Sequence, residues 1–162
     1  MKSLIALFAA MALLLSACGT PNSGGSGGYR IKPGDTDKIQ YRALDSINSQ
    51  RSLAGLSSLQ LNPQLNAAAS AHSRDMSAQN RPWHFGSDGS SPLDRARRAG
   101  YFGHMLGENI SETYEGEAET LSAWMSQPDT RNVIMDPAAR DLGFAWYQES
   151  NGKIWWTLIT GG

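Results

Sequence analysis

Cysteine is almost absent from this chain. Cys18 is the only one, so no disulfide can form within it, and whatever folds here is held by packing alone. No apolar run reaches the roughly 20 residues needed to span a bilayer. The longest, Leu4 to Leu15, follows Met1-Lys2 and reads as a signal peptide over residues 1–17 rather than a membrane helix. An excess of basic charge is also missing. Loss of Lys2 with the signal leaves 13 Lys and Arg against 15 Asp and Glu, a net charge of −2. Nothing in that balance drives nucleic-acid binding, and no nucleic-acid partner is expected. No internal repeat is present.

Leu15-Ser16-Ala17-Cys18 looks like a lipobox, cleaved before a cysteine whose thiol is then acylated with chains such as palmitate. Each buried methylene contributes about 0.8 kcal/mol and one chain holds only marginally, so durable anchoring needs several chains. The expected product is a lipoprotein whose membrane partner is reached through Cys18. Gly19 lacks the acidic side chain linked with inner-membrane retention, which points to the outer membrane. Gly19 to Gly28 is rich in Gly and Ser and reads as a tether, placing a lipidated linker at residues 18–34 and a folded domain at residues 35–162.

Within the domain, Ile39, Ala43, Leu44 and Ile47 recur at helical spacing up to the break at Gly55. Asn62-Pro63 supplies a cap and a first-turn proline for a second helix, with Leu65, Ala68, Ala69, His72 and Met76 on one stripe and an end at Asn80-Arg81-Pro82. His72, on that apolar stripe, reads as a packed histidine bonded to a neighbouring loop. Trp83 to Gly89 is loop-like. Ser91-Pro92 opens a short helix through Arg98, and its run Arg95, Arg97, Arg98 reads as a solvated face. Tyr101 to Ser111 reads as irregular, and Glu115 to Ser126 as a helix ended by Pro128. Then the period changes: Leu142, Phe144 and Trp146 alternate, Ile154 to Ile159 is β-branched and aromatic, and Asn151-Gly152 between them is a strong hairpin signal. One of Trp155 and Trp156 is expected inward and the other outward. Helices followed by a hairpin give an α+β domain.

These segments also stand in the order of a known family. Ile47-Asn48 with Arg51, Leu59 to Leu65, Ala71-His72-Ser73, His84 with Gly86-Ser87-Asp88-Gly89, Arg95 with Gly100-Tyr101, and Gly107-Glu108-Asn109-Ile110 all fit. So do Trp124, Arg131, Ile134-Met135, Leu142-Gly143-Phe144-Ala145 and Trp155-Trp156. The chain resembles the CAP superfamily (cysteine-rich secretory proteins, insect antigen 5, plant pathogenesis-related proteins), and specifically its short, disulfide-free bacterial branch. The resemblance implies an α-β-α sandwich with helices on a small antiparallel sheet, exported, with a cleft on one face.

Members of that family often carry two histidines and two acids in the cleft, and some bind zinc there. The resemblance places His84 and Glu108 as the first histidine and first acid, and puts Gln127 and Thr130 where the second acid and second histidine would stand. Zinc wants three or four protein ligands, so His84 and Glu108 make a half-site; His104, in His-x-x-x-Glu, is a candidate third ligand. The expected function is a surface-tethered domain binding a small-molecule, lipid or protein ligand of the envelope or exterior through His84, Glu108, Gln127 and Thr130. The alternative is a metal-assisted hydrolase of peptides or nucleic acids using His84 and Glu108 as catalytic candidates. Enzyme activity is the lesser expectation, since no nucleophile in the sequence pairs with this base.

Overall fold

A computed structural model describes residues 29–162. The signal segment, Cys18 and the Gly/Ser tether lie outside the described residues. The elements are α1 (Thr36–Leu53), β1 (Gln60–Leu61), α2 (Pro63–Gln79), α3 (Pro92–Arg98), β2 (Met105–Thr113), α4 (Glu117–Ser126), α5 (Pro128–Ile134), β3 (Asp141–Gln148) and β4 (Ile154–Gly161). Among the described residues five helices thus pack on one sheet of strand order β1-β3-β4-β2.

The sheet is mixed rather than wholly antiparallel. β3–β4 and β4–β2 are antiparallel, but β1 pairs in parallel with β3 at Asp141 and Leu142. The second difference from the sequence reading is β2, which occupies a segment read as irregular. Its residues neither alternate cleanly nor form an apolar run, and Gly107 interrupts them. Pairing with β4 along its whole length makes the strand, with a register shift between Met105 and Gly107.

β4 is buried at every position. Trp155 and Trp156 are both 0% exposed, so neither faces water. Both faces of this central strand are covered, and alternation then decides which helix layer a side chain meets instead of whether it meets solvent. On one face, Trp156 and Leu158 pack with Phe144, Trp124 and Ile47. On the other, Ile159 packs with Leu65, Ala68, Ala69 and Ala96. α2 lies close against β3: a Cβ on Gly143 would collide with the Leu65 backbone.

Local signals act where expected. Asn62 Oδ1 accepts from the backbone N–H of Gln64 (3.0 Å) and Leu65 (3.1 Å), and Pro63 follows it in the first turn. Ser91 and Asp94 form a capping box on α3. Pro128 ends α4 and also opens α5. Residues 29–34, within the segment read as linker, lie on the domain: the Tyr29 hydroxyl donates to Glu117 (3.0 Å), and the Gln148 side chain bonds Tyr29 O (2.7 Å) and Ile31 N (3.0 Å). The interior of the α1 layer is tied by Arg51. Its buried guanidinium donates to the carbonyls of Ser57, Ile134, Asp136 and Ala139.

Candidate functional site

The loop after α2 carries His84 toward β2. Asn80, in the left-handed conformation, ends the helix. The chain is then held at three points. Trp83 O meets His72 Nε2 at 3.0 Å; Ser87 N–H and hydroxyl both donate to Asp75 (2.8 and 2.6 Å); and Gly86 N–H donates to Ser90 O (2.8 Å). Gly89, at φ +77°, allows the turn that closes this loop.

On β2, Glu108 points to the α2–α3 face. Its side chain is 1% exposed, while that of His84 is 52% exposed. His84 Nδ1 lies 2.9 Å from Glu108 Oε1. Arg95 of α3 completes the arrangement. One of its terminal nitrogens donates to both Glu108 oxygens (3.0 and 2.8 Å), and the other to His84 O (2.9 Å) and Ser90 O (3.1 Å). A single guanidinium thus holds both the carboxylate and the backbone of the histidine that the carboxylate orients. His72 Nε2 is 3.8 Å from Glu108 Oε1. Burial lowers the His72 pKa, partly opposed by the nearby Glu108 carboxylate.

These contacts fix proton positions. A carboxylate accepts only, so His84 Nδ1 carries the proton and donates. In the neutral ring, Nε2 then carries a free lone pair, with no hydrogen-bond partner among the described residues. His72 donates from Nε2 to the Trp83 carbonyl, leaving its buried Nδ1 without a partner.

His84 and Glu108 meet, but of the two only His84 reaches solvent. Gln127 and Thr130 do not join them. Thr130 Oγ1 donates to Trp124 O (2.6 Å), Gln127 is exposed at the start of α5, and neither side chain bonds to His84 or Glu108. Asn109, next to Glu108, sends its side chain to the opposite face, where it donates to Thr130 O (2.8 Å). His104 lies one residue before β2 and exchanges backbone bonds with Gly162. Among the described residues no group of three His, Cys, Asp or Glu is placed to hold a metal ion. Both Glu108 oxygens are already engaged by Arg95 and His84, so this donor set does not fit zinc.

Arg95 is the residue the sequence reading missed. Arg97 and Arg98 beside it are exposed, whereas Arg95 is 8% exposed. Its signal was position: it sits beside buried Ala96 and four residues before Ala99, on the inward stripe of a capped helix. Beyond Arg95 a groove of about 450 Å³ opens between α2 and α3. Ala67, Ala68, Ala71 and Ala99 line it together with Asp75, Ser87 and Arg98; His84 and Glu108 do not, and Arg95 links the groove to both. The loop hydroxyls are occupied: Ser87 donates to Asp75 and Ser91 to Asp94. Neither is poised against His84 as a nucleophile.

Comparison with known proteins agrees with this architecture. The model of the cysteine-rich secretory protein family, CAP, matches residues 44–159. The uncharacterized protein YkwD of Bacillus subtilis (strain 168) is 28% identical over 123 residues, which span 76% of this chain and 47% of YkwD. An extracellular protein containing an SCP domain from Bacillus anthracis superposes with a TM-score of 0.69 at 22% identity, covering 82% of this chain and 44% of that one. An outer surface protein from Borrelia burgdorferi gives 0.67 at 15% identity, covering 83% of this chain and 97% of its own. The chain therefore spans about half the length of YkwD and of the Bacillus anthracis protein, and nearly all of the Borrelia one.

Proposed function

Because this chain belongs to the cysteine-rich secretory protein (CAP) family, we propose that it is an exported, lipid-anchored domain that binds an envelope or extracellular ligand through His84 and the groove beside it. The observation that carries this reading is the half-exposed His84 ring, with Nδ1 fixed by buried Glu108 and Nε2 without a hydrogen-bond partner among the described residues. Such a ring accepts a hydrogen bond from a ligand hydroxyl or amide without having to order itself first. The groove is lined by alanines together with a few polar and charged side chains, the usual make-up of a small-ligand site. Two relatives support export, one described as an extracellular protein and the other as an outer surface protein. Anchoring through Cys18 to the outer membrane extends that reading.

The geometry weighs against hydrolysis. Glu108 is a buried partner of Arg95 rather than a free base, and the nearby serines are engaged elsewhere.

A photoreactive phenylalanine analogue at exposed Phe85, beside His84, tests the binding reading in intact cells. A discrete adduct that disappears in His84→Ala supports it. No adduct, or one unchanged by His84→Ala, rejects it. Fractionation of wild type and Cys18→Ser tests the anchor: the wild type partitions with outer membranes and the variant is released. A Cys18→Ser protein that stays membrane-bound rejects the anchor.

A further inference from the structure

β1 covers β3 only at Asp141 and Leu142. Just beyond, two side chains stand in for the missing strand. Asn66 Oδ1 accepts from the Phe144 N–H (2.7 Å), and Gln40 Nε2 donates to the Phe144 carbonyl (2.8 Å). These bonds fix the phase of the ladder. Phe144, opposite Leu158, turns both backbone groups away from β4, so Trp146, opposite Trp156, turns both the same way. Among the described residues no hydrogen-bond partner meets the Trp146 N–H or C=O on that side.

A groove of about 570 Å³ opens at this point. Gln40 of α1 and Asn66, Ser70 and Arg74 of α2 form its walls, with Ala145 and Trp146 below. Among the described residues Arg74 is the only charged one lining it. The guanidinium is exposed, bonds Ser70 Oγ (2.8 Å), and has no carboxylate partner among the described residues.

An unpaired N–H and C=O on one extended residue match the backbone of another extended peptide, and side chains then supply selectivity. We propose that this groove takes an extended segment of a partner protein, bearing an acidic side chain, as an added strand on β3. The donor–acceptor pair on Trp146 selects peptide backbone, and unpaired Arg74 selects the carboxylate. This groove shares only Ala67 with the groove beside Arg95 and holds none of His84, Glu108 or Arg95, and the Trp146 amide and Arg74 that the test reads belong to this groove alone.

The test uses the full mature chain and three acetylated pentapeptide amides: Thr-Val-Asp-Val-Thr, the same with Lys for Asp, and the acidic peptide with a methylated central backbone nitrogen. Backbone amide shifts in a two-dimensional ¹⁵N NMR titration are the readout. The acidic peptide shifts the Trp146 amide, the lysine peptide binds about fivefold more weakly, as expected for one exposed charge pair, and the methylated peptide binds least. Arg74→Glu, at an exposed position, reverses the preference. The inference is overturned by an unmoved Trp146 amide, by equal binding of the methylated peptide, or by an unchanged preference in Arg74→Glu.

Discussion

Arg95 and Glu108, thirteen residues apart on a short helix and an edge strand, form a buried ion pair in which one guanidinium nitrogen donates to both carboxylate oxygens, at 2.8 and 3.0 Å. Removing Arg95 leaves the Glu108 carboxylate buried with no cation bonded to it and only the His84 N–H as donor, at a cost of about 3–5 kcal/mol. Arg95→Met is therefore expected to lower the thermal midpoint by roughly 10 °C, taking about 2–4 °C per kcal/mol for a domain of this size. His84 also loses its backbone anchor in that variant. Thermal denaturation followed by circular dichroism measures the effect; a shift under about 2 °C, on that same scale, refutes the pair's structural weight.

His72 links stability to pH. Its folded pKa lies below the ordinary 6.5, first through burial and then through Arg95, while Glu108, the Trp83 carbonyl and Asp75 pull upward. A depressed histidine pKa means that the unfolded chain takes up the proton first. The contribution is complete above pH 6.5 and is lost as pH falls from there toward the folded pKa. His72→Gln keeps an amide donor for Trp83 O and cannot titrate. Chemical denaturation between about pH 7 and 5 is expected to show a shallower loss of stability in the variant. Parallel curves for variant and wild type contradict this.

Arg51 is a cation served by carbonyls rather than carboxylates. Its buried guanidinium ties the end of α1 to the turn after α5. Arg51→Met removes the charge but strands those carbonyls, each unmade bond costing about 1–3 kcal/mol. A loss of at least about 3 kcal/mol is expected from urea unfolding, on the same per-bond cost, with Arg51→Lys recovering little because an ammonium lacks the planar fork. Full recovery by lysine refutes the role assigned to the fork.

What the sequence disclosed divides along physical lines. Signals that act within a few residues were readable: Asn62-Pro63, Ser91-Pro92 and Asn151-Gly152 each mark a real helix start or turn. His72 sits on the buried stripe of α2 and bonds the next loop, as its place in the pattern implied. β2 was not readable, because pairing with a strand nearly fifty residues later, rather than its own composition, makes it extended. Trp155 and Trp156 misled for a related reason: alternation sorts side chains between faces, but coverage of both faces is a tertiary fact. At the site, the meeting of His84 with Glu108 followed from the family pattern. Arg95 did not, because three arginines within four residues look alike until the helix is rotated against β2.

The central claim is that Glu108 fixes the His84 ring, with its proton on Nδ1 and its Nε2 lone pair free. Long-range ¹H–¹⁵N correlation of the histidine rings, recorded where His84 is neutral, tests it directly. The wild type should show the Nδ1–H tautomer for His84, and Glu108→Gln should shift the population toward Nε2–H. A wild-type His84 with its proton on Nε2, or averaging between the two nitrogens as in a free side chain, contradicts the account.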